Sequence, residues 1–125
     1  DDARERGMAL LKKVHLEDRW SHRPKEMSGG QMQRVAIARS LANHPSLLLC
    51  DEPTGNLDLK TGRDIHHLMQ DLHQQDRVTV IVSTHDHRML SVSDRMVWIS
   101  DGSIERIERT ENVIIEKASV GGEEE

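Results

Sequence analysis

Leu47-Leu48-Leu49-Cys50-Asp51-Glu52 is a short apolar run closed by two carboxylates. A continuous apolar run of this length is the pattern of a strand covered on both faces. Downstream, Val78-Thr79-Val80-Ile81-Val82 repeats the pattern with more β-branched content. Between the two, Ile65, Leu68, Met69 and Leu72 fall at i, i+3, i+4 and i+7, one face of a helix over about residues 59–75. Strand, helix, strand in this order predicts a right-handed βαβ unit with parallel strands, and so an α/β fold. Ligand chemistry in such sheets gathers at the C-terminal strand ends. Asp51 and Glu52 close the first strand there, and His85 follows the second. Carboxylates at the end of an apolar strand are costly unless they face a polar site or a cation.

Working outward, Met8, Leu10, Leu11 and Val14 recur at helical spacing among Arg, Glu and Lys, which predicts an amphipathic helix over residues 3–14. Pro24 breaks the path. Ser28-Gly29-Gly30-Gln31 then opens a helix that runs to about Ala42, ended by Asn43 and Pro45. Backbone N–H groups at such a start point outward, and the helix dipole favours an anion beside them. Taken alone, Ser-Gly-Gly reads more readily as a helix cap with a turn than as an anion site. On the far side, a short helix is expected over residues 88–91. Asp101-Gly102 between the runs 95–99 and 103–107 predicts a hairpin. A short strand over residues 112–116 and a disordered acidic tail from Gly121-Gly122 complete the pass.

Composition narrows the function classes. The net charge is -5, and a nucleic-acid binder needs a basic stripe to neutralise phosphates; none appears, so no nucleic-acid partner is expected. With Trp20 and Trp98 the only aromatics, the core must be aliphatic. The single cysteine, Cys50, excludes an internal disulfide and suits a reducing compartment. No run of about 18 apolar residues spans a bilayer, and no signal peptide is recognisable. His66-His67 and His85-Asp86-His87 invite a metal reading, but adjacent helical histidines point in different directions and no zinc-finger spacing exists.

The Met27-Ser28-Gly29-Gly30-Gln31 stretch, the Leu47 to Pro53 stretch, Thr54-Gly55-Asn56-Leu57-Asp58 and Ser83-Thr84-His85-Asp86 resemble, in order and spacing, four motifs of the ATP-binding subunits of ABC transporters. These are the signature, Walker B, the D-loop and the switch histidine. The resemblance runs to about Glu108. No G-x-x-x-x-G-K-[ST] loop occurs, and the chain opens on Asp1, so it reads as the C-terminal half of such an ATPase. It implies a P-loop NTPase-like parallel sheet, partial and lacking the Walker A strand, with part of the helical signature subdomain and a C-terminal β-hairpin. The corresponding boundaries are 1–44 for the signature part, 45–108 for the α/β core and 109–125 for an extension and tail. In sheets of this kind the phosphate-loop strand lies between the strands near Val82 and Arg95, so its absence leaves an open edge.

The resemblance also implies roles. Asp51 is expected to hold Mg²⁺, mostly through water, and Glu52 to polarise the attacking water as general base. His85 is expected to contact the γ-phosphate of ATP. Ser28, Gly29, Gly30 and Gln31 are expected to meet the γ-phosphate of ATP bound to a second, head-to-tail ATPase subunit, and Asp58 to meet that subunit or to cap the crossover helix. The family places such subunits in the cytoplasm, peripheral at the inner face of the membrane through transmembrane permease partners. The Thr54 to Asp58 form is similar to the branch for lipoprotein release, macrolide export and cell division. Two rivals share these residues: a soluble ABC-type ATPase of DNA repair or translation, and a non-catalytic interaction module. Retention of Glu52 and His85 speaks against the second, since a structural module needs neither.

Overall fold

The computed structural model describes residues 2–111; the strand expected over 112–116 and the tail lie outside them. Helix α1 (Asp2–Lys13) carries Asp2 and Glu5 in its first turn and Lys12 and Lys13 in its last, each complementing the helix dipole. Its apolar stripe ends in Val14 and Leu16, both buried. Short 3-10 turns at Glu17–Arg19 and Pro24–Glu26 lead to α2 (Gly29–Ser40). Strand β1 (Leu47–Asp51), helix α3 (Leu59–Asp76) and β2 (Thr79–Ser83) follow as the βαβ unit. The two strands are parallel, with Leu49 opposite Ile81 and Asp51 opposite Ser83.

The chain groups into two compact units divided between His85 and Asp86. The core of the first is aliphatic: Val14, Leu16, Ile37, Leu41, Leu48, Ile65, Leu68, Met69, Leu72 and Val78 are all buried. The stripe on α3 anticipated from spacing is the stripe that is buried. Polar bonds tie α1 and the residue after it into this unit: the Arg6 guanidinium donates to the Ala42 carbonyl, Lys13 pairs with Asp76 at 3.0 Å, and the Arg34 guanidinium donates to the Val14 carbonyl at 3.1 Å. The second unit holds a 3-10 turn at His87–Val92 and the hairpin of β3 (Arg95–Ser100) and β4 (Ser103–Arg109). Asp101 and Gly102 both take positive φ, 49° and 75°, the conformation that a two-residue Asp-Gly hairpin turn requires. A bulge beyond Trp98 keeps that ring opposite Arg106, whose guanidinium lies 4.1 Å from the ring centroid.

One expectation fails. The apolar run of β1 predicts a strand covered on both faces, but only Leu48 of β1 is buried; Leu49 is 69% exposed, and Ile81 on the neighbouring strand 55% exposed. The reason is layering. Helix α3 packs against β2, so alternate residues of the two-stranded sheet turn inward. The opposite face, with Leu47, Leu49 and Ile81, has no second layer among the described residues of this unit.

Candidate functional site

The carboxylates stand where β1 ends. The Ser83 hydroxyl donates to Asp51 Oδ1 at 2.6 Å, across the last pair of the parallel ladder. The Glu52 N–H donates to the Ser83 carbonyl at 2.8 Å, and the Gly55 N–H donates to the Glu52 carbonyl at 3.2 Å. Glu52 itself has φ 45°, the left-handed region, which costs a non-glycine residue about 1 kcal/mol or more and concentrates at functional positions. The consequence is directional: the chain turns sharply after Asp51, and the Glu52 side chain leaves the strand line. His85 Nε2 lies 3.6 Å from Glu52 Oε1, with the imidazole 99% exposed. That separation is too long for a hydrogen bond, so both groups remain available to a ligand.

Behind this turn sits a pair that sequence reading passed over. His66, on the buried face of α3, has Nε2 3.1 Å from the Thr54 hydroxyl, and both residues are buried. The Leu57 N–H donates to the Thr54 carbonyl at 3.2 Å. The stretch between Glu52 and Asp58 is therefore anchored to the helix that follows it. Its far end is Asp58, the N-cap of α3, whose carboxylate accepts from the Thr61 N–H at 3.2 Å. Hydrogen bonds from Thr61 hold the Asp58 carboxyl below its usual range. The neighbouring Cys50 is half-buried, and burial pushes its thiol up, away from the reactive thiolate.

A second cluster forms at the start of α2. Ser28 and Gln31 make a reciprocal capping box: the Gln31 N–H donates to Ser28 Oγ at 3.2 Å, and the Ser28 N–H donates to Gln31 Oε1 at 3.0 Å. Two of the N–H groups expected to face a phosphate are thus engaged within the cap. The main-chain donors left for an anion are those of Gly29 and Gly30, and the Ser28 hydroxyl and the Gln31 side-chain amide keep hydrogens to donate. Gly30 is buried, and a Cβ there would collide with Thr61 Cγ2; at Gly29 it would lie 3.4 Å from Leu57 Cδ2. Gly30 therefore lets α2 abut α3 beside its Asp58 cap. Gly30→Ala is expected to destabilise the fold by about 1–3 kcal/mol, the usual cost of overpacking. Urea unfolding would measure it. Thr61→Ala in the same chain should recover much of the loss; no recovery would show that Gly30 is needed for another reason.

The structure thus brings Asp51, Glu52 and His85 to one end of the βαβ sheet. It places Ser28, Gly29, Gly30 and Gln31 with Asp58 in a second group at two abutting helix starts. Asp86, next to His85 in sequence, is committed elsewhere: its carboxylate accepts a fork from Arg88, with the shortest contact at 2.6 Å.

Comparison with known proteins bears on what these groups serve. The family profile described as ABC transporter matches residues 2–55. The uncharacterized ABC transporter ATP-binding protein MJ0796 of Methanocaldococcus jannaschii is 46% identical over 110 residues, 87% of this chain and 47% of that protein. The solved dimeric structure of MJ0796 gives a TM-score of 0.71 at 46% identity, over 86% of this chain and 47% of that one. The lipoprotein-releasing system ATP-binding protein LolD 2 of Rhodopirellula baltica is 50% identical over 100 residues, covering 80% of this chain and 39% of that protein. The macrolide export ATP-binding/permease protein MacB of Burkholderia pseudomallei is 50% identical over 101 residues, 81% and 15% of the respective chains. The chain spans about half or less of the length of these relatives.

Proposed function

The chain belongs to the ABC transporter family of ATP-binding cassettes, and from that premise we propose that it supplies the signature face, the carboxylates and the switch histidine of a subunit that hydrolyses ATP. The observation that carries this reading is the approach of His85 to Glu52, at 3.6 Å, beside a Glu52 backbone held in the left-handed region. A packing role would not need two exposed ionisable groups placed this way.

In this reading Glu52 accepts the hydrogen bond of the attacking water, orients it towards the γ-phosphate and takes its proton. His85 contacts the γ-phosphate from the adjoining strand end. The Gly29 and Gly30 N–H groups at the start of α2 meet the γ-phosphate of ATP held by a second subunit, head to tail. A magnesium ion would neutralise charge on the phosphate oxygens. Asp51 fits that ion: Oδ1 is held by Ser83, while Oδ2 accepts no hydrogen bond from any described residue. Magnesium ordinarily takes one or two carboxylates and completes its shell with waters and phosphates.

Relatives named for lipoprotein release and macrolide export support a role in driving export or release through a membrane partner. No helix among the described residues is long and apolar enough to cross a membrane. In this reading, which rests on the named relatives, transmembrane permease partners hold the subunit at the cytoplasmic face. The two-subunit requirement is testable. A complete cassette carrying these residues is expected to show Mg²⁺-dependent ATP turnover per subunit that rises with protein concentration as dimers form. Turnover per subunit that is independent of concentration, in a sample shown to be monomeric, would exclude the signature face as a partner in trans.

A further inference from the structure

We propose that Ser83 is a positioning residue for the metal-binding carboxylate, its hydroxyl fixing Asp51 so that one oxygen alone is presented to the cation or its water. The proposal rests on the assignment of Asp51 to the metal made above.

Three observations converge on Ser83. It faces Asp51 in the final pair of the β1–β2 ladder, and side chains of such partners lie on the same face of the sheet. Its hydroxyl donates to Asp51 Oδ1 at 2.6 Å, the short distance of a charge-assisted bond. Its carbonyl accepts the Glu52 N–H at 2.8 Å. One residue therefore grips both acidic residues, Asp51 through its side chain and Glu52 through its main chain, and it stands two positions before His85.

The two grips can be separated by substitution, because the main-chain bond to Glu52 survives any side chain at position 83 while the bond to Asp51 does not. With Oδ1 engaged, the carboxylate has a fixed plane and Oδ2 is the oxygen left for a ligand. Outer-shell hydrogen bonds of this kind orient metal ligands, and their loss ordinarily weakens metal binding by about 10–100-fold. Here the pair is exposed, so water competes for the same oxygen and the lower end of that range applies. For the same reason the bond adds little to folding. Metal affinity is therefore the property to read.

The test uses a complete cassette carrying these residues, loaded with a non-hydrolysable ATP analogue and titrated with Mn²⁺, the free ion being read by electron paramagnetic resonance. Ser83→Ala is expected to weaken Mn²⁺ binding about tenfold, with the urea midpoint and the analogue's affinity in metal-free buffer unchanged. Ser83→Thr, which keeps the hydroxyl on a strand-compatible side chain, should restore the wild-type value. Wild-type Mn²⁺ affinity in Ser83→Ala, beside a clear loss in Asp51→Asn, would overturn the proposal and leave the metal assignment standing. Failure of Ser83→Thr to restore binding would also overturn it. No loss in Asp51→Asn would remove the metal assignment, and the proposal with it.

Discussion

Glu52→Gln in a complete cassette is expected to keep ATP bound and to slow its hydrolysis by about 10²–10⁴-fold, the usual contribution of a positioned general base. The substitution keeps the size of the side chain and one carbonyl oxygen, and it removes the proton acceptor. The backbone of the site should not move. Its fixed points are the Glu52 N–H to the Ser83 carbonyl and the Gly55 N–H to the Glu52 carbonyl, neither of which involves the carboxylate. The side chain itself contributes little that would be missed by the fold, since it is 44% exposed and stands 3.6 Å from His85. Loss of rate with retained binding removes an interaction made chiefly in the transition state. Single-turnover kinetics and size-exclusion chromatography would show slow hydrolysis with ATP-bound dimers accumulating. Unchanged turnover would exclude Glu52 as the catalytic carboxylate.

The parts of this site that were legible in the sequence are those set by local spacing. Ile65, Leu68, Met69 and Leu72 mark the buried face of α3 because helical periodicity is written within a single turn or two. Ser28-Gly29-Gly30 marks the start of α2 because a helix cap is written within a few residues. Asp101-Gly102 specifies its turn through backbone conformations that few other residues accept. What escaped depends on residues distant in the chain. Ser83 meets Asp51 only once the β1–β2 register is known, across 32 positions. His66 looks like an ordinary helical histidine until Thr54 is folded against it. The positive φ of Glu52 has no local signal, and residues before proline ordinarily favour extended conformations. The coverage of β1 is hidden from the sequence for a related reason. An apolar run records that a strand suits burial, not which layers are there to bury it.

That uncovered layer leads to a prediction about the 125-residue chain by itself. In a parallel ladder the N–H and C=O of one residue point to the same neighbour, and successive residues alternate. The Thr79 N–H donates to the Ser46 carbonyl and the Ser83 carbonyl accepts from Glu52, so Thr79, Ile81 and Ser83 face β1. Val80 and Val82 therefore face the opposite edge, which pairs with no other strand among the described residues. An open, apolar edge is a template for pairing with another chain. Beside it, Leu47, Leu49 and Ile81 present an exposed apolar face whose coverage would yield about 25 cal/mol per Å², against a net domain stability of roughly 5–15 kcal/mol. The isolated chain is expected to be marginally stable and to associate through this edge and face, with negligible ATP turnover because the sequence holds no phosphate loop to retain the nucleotide. Hydrogen exchange in dilute, monomeric samples should find Val80 and Val82 exchanging much faster than Ile81, and protection at those two amides should rise with concentration. Covering Leu49 and Ile81 by charge, as in Leu49→Lys with Ile81→Lys, should suppress the association. Strong and uniform protection of Thr79 to Ser83 in a proven monomer would mean that the edge is already occupied within the chain, and the two-stranded topology would fall.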